Sequence, residues 1–452
     1  MGVHCLTGRR GSGKTTRCVE TIRKLLGTGA PILFLVPEQD TVEAEMHLAG
    51  ALNLSVFWNL EVLSLKRLAQ RIGQSAGGGA QVTLSDAGRA MALKGAMIGL
   101  RGGMKYYRSG ASGAADLMGD LMVELRRGES DATQLRLAAD KLPPEGALAQ
   151  KLYDLAAVYE EYDGRIAGKY QDGEDALRRS AQLCGQCGEL KDAYVFADGF
   201  DVLPRTALRL LAALGGVCRE VYATFDLCAA DAPDAALYDP VRFSAQTLKK
   251  MCGEGGVACE FEALADRELP NAELNHLSRQ LFSRKPQPWA KKPENVHLVY
   301  AKDPYMESER AAGYLFEKIR TEGLRCRDMA VLCPHIDLYG QRLEMALRRR
   351  GLRAYVDRRI SAAEHPAARY LLAALAGAAR YYRMDDMLRA LKSGYAGVSA
   401  READRLELYA MERGLEGRLW ERSIEEDAED VRAEDADENA GELRSLEEIS
   451  RN

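Results

Sequence analysis

Hydrophobic and polar positions along the chain switch between two periods. Residues 3–7 form a short apolar-rich strand, and over 15–26 the apolar residues Val19, Ile22, Leu25 and Leu26 recur at helical spacing until Gly27 to Pro31 break the helix. Residues 32–36 are a continuous apolar run closed by Pro37. Such a run, bounded by turn residues and reached through a helix, predicts a parallel strand buried on both faces. From about 84 to 183 the pattern is helical, clearest over 116–127 and 146–168, with hardly a β-branched run. Strand signals return at 193–197, ending at Asp198, followed by a helix over about 204–214 and a strand over 220–225. The helical block therefore reads as an insertion in one α/β domain.

A loop-rich stretch holding Pro233, Pro240, Pro270, Pro286, Pro288 and Pro293 leads to a second α/β pattern. There, strands are predicted over 296–301, 329–332 and 354–356, with helices over 307–321 and 338–349. Past Ser361 the pattern is helical again. The parts are thus 1–80 and 186–290 for the first domain with its linker, 81–185 for the insertion, 291–360 for the start of a second domain, 361–424 for a helical region and 425–452 for a tail. No internal repeat with a 20 to 50 residue period is visible.

Composition excludes several classes. The chain has 452 residues, 46% apolar and 29% charged, a balance that forms cores and rules out collagen-like, mucin-like or wholly disordered chains. Apolar stretches such as 370–379 are interrupted well before the ~20 residues of a membrane span, and the Met-Gly-Val-His start lacks a signal-peptide pattern. Ten scattered cysteines, mostly in apolar surroundings, read as buried thiols of a reducing cytoplasm. The formal charge of −5 is uneven: residues 421–452 carry −9 and the body +4. The acidic tail reads as solvated and disordered, and the mildly basic body permits nucleic-acid binding without demanding it.

The chemistry lies first in Gly8-Arg9-Arg10-Gly11-Ser12-Gly13-Lys14-Thr15, which matches G-x-x-x-x-G-K-[ST] in full between a strand and a helix. Backbone N–H groups around residues 11–14 suit phosphate oxygens at the positive end of a helix, Lys14 the β- and γ-phosphates of ATP, and the Thr15 hydroxyl a Mg²⁺ ion. Asp198, in Phe196-Ala197-Asp198-Gly199-Phe200-Asp201, stands where a second carboxylate would help hold that Mg²⁺; Asp198 and Asp201 equally suit capping of the next helix. No catalytic residue is assigned. Gly199 follows Asp198 where motors carry a water-polarising glutamate.

The order of parts resembles a superfamily 1 helicase core, and the strings at 8–15, 34–39, 61–69, 198–200, 327–333, 391–394 and 402–420 resemble the B subunit of the AddAB (RexAB) ATP-dependent helicase/deoxyribonuclease. The resemblance implies an α/β fold: a RecA-like P-loop NTPase domain with a helical insertion, then a partial second RecA-like domain and further helices. It implies a helicase-like subunit that works with an AddA-type motor and nuclease subunit as a heterodimer. That complex processes double-strand DNA ends for recombinational repair, handles an exiting single strand and takes part in recognising the Chi regulatory sequence. Family members run to more than twice this length and carry a C-terminal nuclease with an iron–sulfur cluster. The nuclease and its cluster cysteines are therefore expected only in the full-length family protein.

Two departures from the helicase pattern bear on mechanism. The start two residues before the first strand leaves no room for an adenine-gripping glutamine segment, and Pro334 stands where an arginine would reach the γ-phosphate. With Gly199 they imply a site that binds nucleotide with little hydrolysis. An autonomous ATP-driven motor and a small-molecule P-loop kinase are the competing readings. The kinase is disfavoured by the length, the helical insertion and the second α/β segment. Two weaker signals remain. Cys184-Gly185-Gln186-Cys187 has no companion at a familiar zinc spacing and reads as ordinary thiols, and Arg348-Arg349-Arg350, Arg353 and Arg358-Arg359 read as a solvated helix end or as phosphate contacts.

Overall fold

The structure, a computed structural model, describes residues 1–76, 82–100, 102–107, 114–268, 270–358 and 361–421. The acidic tail 425–452 and Arg359 lie outside them. The chain divides into two units, Met1–His297 and Leu298–Asn452.

In the first unit, β1 (Val3–Gly8), α1 (Lys14–Leu25) and β2 (Ile32–Leu35) form where the apolar pattern predicts them, and α2 (Thr41–Leu52), β3 (Leu60–Leu63) and α3 (Leu65–Ser75) continue the alternation. The helical block follows: a short β4 (Val82–Thr83), then α4 (Asp86–Gly99), α5 (Ala114–Arg127), α6 (Ala132–Ala139) and α7 (Ala147–Ile166), a short β5 (Tyr170–Gln171) paired with β4, and α8 (Gly173–Leu183). The chain then returns through β6 (Tyr194–Ala197), α9 (Arg205–Val217), β7 (Glu220–Asp226), α10 (Asp239–Glu254), β8 (Cys259–Ala263) and α11 (Ala272–Gln280).

Six strands form one sheet in the order β3-β2-β6-β7-β1-β8, and every ladder in it is parallel. The period of two explains why the strands read as unbroken apolar runs. Leu33, Leu35, Val195 and Ala197 pack on one face against Leu68, Ile72, Leu208 and Leu211; Ile32, Phe34 and Phe196 pack on the other against Ile22 and Leu48. Both faces are covered by helices.

The helical block has its own core of Leu93, Met97, Met118, Met122, Leu155, Val158 and Tyr162. Inside it, the buried Arg126 guanidinium pairs with Asp163 and Asp175 beneath the rings of Tyr159 and Tyr162. Leu177 of α8 belongs instead to the sheet's core, so this helix carries the chain back to β6.

Three elements, α10, β8 and α11, lie where the sequence pattern read loop. Proline sits in the first turn of α10, where its missing N–H costs nothing, and Ala245, Leu248, Met251 and Cys252 form the helix's buried stripe. The edge strand β8 has only partly buried or exposed side chains and gains its place from the ladder to β1, a tertiary term that no local pattern carries.

In the second unit the expected helices form as α12 (Pro304–Glu322) and α13 (Ile336–Arg349), packed through Ala312, Leu343, Ala346 and Leu347. They are followed by α14 (Pro366–Ala379), α15 (Met384–Leu391) and α16 (Ala400–Arg413). The strands expected over 296–301, 329–332 and 354–356 do not form among the described residues. A parallel strand is stable only with neighbours to bond and layers to cover it, and here Leu298, Tyr300, Leu332 and Tyr355 are exposed. Arg349 and Arg350 pair with Glu309, and Arg348 with Glu344, so the basic run at the end of α13 is largely engaged within the unit. No described helix is long and apolar enough to cross a membrane.

Packing sets opposite outcomes for two helical glycines. A Cβ on Gly215 of α9 would stand 2.5 Å from Val3 and 3.0 Å from Val257, whereas one on Gly164 of α7 would meet open space. Gly215→Ala is expected to lower stability by about 1–2 kcal/mol despite its better helix propensity, and Gly164→Ala to raise it by about 0.5–1 kcal/mol. Urea titration of both variants checks the pair; equal shifts of the same sign would show that β1 and α9 do not pack this closely.

Candidate functional site

The carboxyl ends of parallel strands are where backbone groups and loop side chains escape two-sided burial. At that edge β1 delivers the loop Arg9–Gly13 to the N-terminus of α1. Gly13, with φ +96°, supplies the left-handed turn that starts the helix, and Lys14 begins it. Lys14 is buried: its Nζ donates to the carbonyls of Gly8 and Arg9, each at 2.9 Å, and lies 2.6 Å from the Asp226 carboxylate at the end of β7.

Asp198 leaves β6 buried between two hydroxyls. Thr15 Oγ1 donates to its Oδ2 at 2.7 Å and Thr224 Oγ1 to its Oδ1 at 2.6 Å. Because β7 lies between β6 and β1, the carboxylate reaches across one strand to the start of α1, with Thr224 of that strand as its second donor. The helix-capping alternative does not hold for either aspartate: Pro204 stands at the cap of α9, which has no side-chain cap. Asp201 is exposed, 4.0 Å from Arg10.

These groups line a cavity of about 330 Å³ with Arg10, Gly11, Gly13, Thr16, Gly199, Phe200, Asp226 and Arg267. The Arg267 guanidinium lies against Gly13, so near that a Cβ there would be 2.8 Å from it. Of the loop residues singled out from the sequence, Arg10, Gly11, Gly13, Lys14 and Thr15 face this cavity. Gly8, Arg9 and Ser12 support it from behind. Arg9 turns away: both its terminal nitrogens donate to Asp234 at 2.6 Å, its Nε lies 3.1 Å from Asp266 and its guanidinium sits over Tyr238. Ser12 Oγ is buried with no hydrogen-bond partner among the described residues. Gly199 has φ +77°, a conformation that costs an L-residue roughly 1–2 kcal/mol, so a glutamate is disfavoured there by the backbone itself.

Sequence reasoning missed Asp226, Thr224 and Arg267. The first two had a signal, since they end a predicted strand of the same sheet. Arg267 had none, lying in the irregular segment after an unrecognised strand. Cys184 and Cys187 are both buried, Cys184 with its thiol donating to the Ala181 carbonyl, and stand among core residues of α8 and α9.

A parallel α/β sheet with a glycine-rich loop, a buried lysine and a buried aspartate at its carboxyl edge defines the class. Within it, residues 5–278 match the family described as "ADDB, N-terminal", and the chain belongs to that family. Similar proteins include the B subunit of the ATP-dependent helicase/deoxyribonuclease of Symbiobacterium thermophilum, 31% identical over 92% of this chain and 37% of that protein. Those of Heliobacterium modesticaldum (32%, over 93% and 36%) and Pelotomaculum thermopropionicum (30%, over 100% and 40%) are similar to the same degree. The chain thus spans roughly two-fifths of the length of the curated relatives it matches.

The Arg9 bridge carries a pH signature. Arg9 holds the Asp234 carboxyl below its usual range. A depressed carboxylate stabilises the fold above its unfolded pKa of about 3.9, and that contribution is lost as the pH falls through its lower folded value. Asp234→Asn is expected to cost about 2 kcal/mol at pH 7, with the deficit shrinking below about pH 4. Denaturant midpoints of parent and variant from pH 7 to 3 check this; a constant deficit across that range would assign the loss to something other than charge.

Proposed function

We propose that this chain is the nucleotide-binding, helicase-like part of a B-type subunit of a helicase–nuclease complex that processes double-strand DNA breaks for recombinational repair in the cytoplasm. On this reading the first unit is a RecA-like P-loop domain with a helical insertion, related to the superfamily 1 helicases. The second unit would supply helices of a further RecA-like domain, whose strands do not form among the described residues, and the partners are an AddA-type motor and nuclease subunit and DNA, both single strands and duplex ends. The ligand is ATP with Mg²⁺. The observation that carries the reading is the convergence of Lys14, Thr15 and Asp198 on one cavity at the carboxyl edge of a parallel sheet.

The residues present suit the ligand. The buried, unpartnered Ser12 hydroxyl marks a loop with hydrogen-bonding capacity in reserve, and Gly11 and Gly13 leave its backbone open to a phosphate. Lys14 would exchange the Asp226 carboxylate for phosphate oxygens, Arg10 and Arg267 would add positive charge at the rim, and Thr15 with Asp198 would hold Mg²⁺. When bound, the metal supplies a divalent charge that offsets the phosphates. Gly199 and Pro334 leave the two usual hydrolytic positions without a glutamate or an arginine, which favours binding over turnover. The same features weigh against an autonomous motor.

Lys14→Ala is expected to weaken binding of a fluorescent ATP analogue by roughly 2 kcal/mol or more, since a charge-assisted phosphate contact is lost. Equal affinity of the two proteins would sink the nucleotide reading.

Steady-state phosphate release is expected to stay below about 1 per second with or without single-stranded oligonucleotide, because the arginine contribution alone is worth roughly 10³ to 10⁵ in rate. Gly199→Glu should not raise it, as the backbone there resists a side chain. Strong DNA stimulation abolished by Lys14→Ala would give the motor reading the lead.

A further inference from the structure

A lysine ammonium carries three N–H groups, and three oxygens surround that of Lys14. They are the carbonyls of Gly8 and Arg9, each at 2.9 Å, and Asp226 Oδ1 at 2.6 Å. A phosphate oxygen gains a full contact with Nζ only by displacing one of them. The two carbonyls are fixed, since that of Gly8 also accepts from the Leu227 N–H at 3.0 Å and that of Arg9 from the Ser12 N–H at 3.0 Å. Asp226 is held less firmly: its carboxylate stands on the cavity wall, partly exposed, and can turn about its own side-chain bonds.

A displaced Asp226 would still lie beside the incoming phosphates, and like charges that close repel strongly where burial lowers the screening. One cation is placed to take the carboxylate over. Arg10 Nε lies 3.7 Å from Asp226 Oδ2, the oxygen that does not face Lys14. The Arg10 side chain is 84% exposed and its other ion pair is a loose 4.0 Å contact with Asp201, so it has room to close in. Among the described residues, Lys14 and Arg10 are the two cations paired with Asp226.

On the nucleotide reading of this cavity, we propose that Asp226 is a built-in competitor for the phosphate at Lys14, and that binding passes its carboxylate from Lys14 to Arg10. Affinity is then set by the difference between the two pairings of Asp226. The charge that Arg10 adds at the rim acts through that carboxylate, which makes Arg10 a positioning residue. Arg267, lying against Gly13, faces the ligand directly. The required ligand chemistry is a chain of phosphates that reaches Nζ; a nucleoside alone would leave Lys14 and Asp226 paired.

The test titrates a fluorescent ATP analogue with Mg²⁺ into the whole chain as parent, Asp226→Asn, Arg10→Ala and the double variant, with inorganic triphosphate and adenosine as competitors. Asp226→Asn is expected to tighten binding of the analogue and of triphosphate about tenfold, since a charge-assisted contact no longer has to be broken, and to leave adenosine unaffected. Its urea midpoint without ligand should fall at the same time, whereas a residue that only supported the fold would lose stability and affinity together. Arg10→Ala should weaken binding several-fold in the parent and much less in the Asp226→Asn background, because the two groups act through each other. Asp201→Asn removes the same charge beside Arg10 without touching Lys14 and should change affinity by less than about twofold. Asp226→Ser repeats the measurement, so that the outcome does not hang on the folding of one variant. If the parent binds and both Asp226 variants bind no tighter, the nucleotide reading stands and the competitor is overturned. Equal losses from Arg10→Ala in both backgrounds would overturn the transfer to Arg10. If none of the proteins binds the analogue or triphosphate, the nucleotide reading falls and the competitor with it.

Discussion

Two-sided burial of a parallel sheet is the constraint on which the first unit rests. Leu33, Leu35, Val195 and Ala197 fill one face while Ile32, Phe34 and Phe196 fill the other, so the central strands β2 and β6 offer no polar side chain from their middles. Chemistry is confined to the strand ends, and because all ladders run in one direction those ends lie along one edge. Thr7 and Gly8 of β1, Asp198 after β6 and Thr224 and Asp226 of β7 gather there as a consequence of register. The helical block between α3 and β6 buries its own core and joins that of the sheet through α8; its Arg127 and Glu174 reach the ends of β2 and β3, but none of its described residues lines the cavity around Lys14 and Asp198.

At that edge the charges are balanced within the protein. Lys14 is buried against two carbonyls and Asp226, and Arg9 is half-buried against the buried Asp234. A buried charge left alone would be costly, so each cation is matched where it stands. The two pairs differ in consequence. Arg9 and Asp234 tie the loop to the segment after β7 and have no opening into the cavity. Lys14 and Asp226 both line it, and their pairing is the one that a negatively charged ligand would have to replace.

Much of this was legible in the chain. The loop, its strand and its helix follow from Gly8 to Thr15, and the continuous apolar runs at 32–36 and 193–197 announced buried parallel strands because burial on both faces removes alternation. What failed had the same physical source. Residues 259–263 carry no apolar run because an edge strand is held by its ladder, and residues 329–332 carry a good one yet lack the neighbours that make a strand. Local pattern reports what a segment could bury; pairing decides whether it does. Arg267 was illegible for a related reason, since its approach to Gly13 depends on the course of the chain beyond that unrecognised edge strand.

Gly199 shows how backbone geometry constrains the chemistry beyond side-chain identity. With φ at +77° it turns the chain immediately after Asp198, and this turn lets the carboxylate stay between Thr15 and Thr224 while Phe200 joins the cavity wall. A glutamate there would need either a strained left-handed conformation or a different path for residues 199–203, and a different path would move Asp198 as well. The arrangement that holds the Asp198 carboxylate and the absence of a water-polarising side chain next to it are therefore one feature. On the proposed reading, a site of this kind is built to retain nucleotide, and turnover would require the turn itself to be rebuilt.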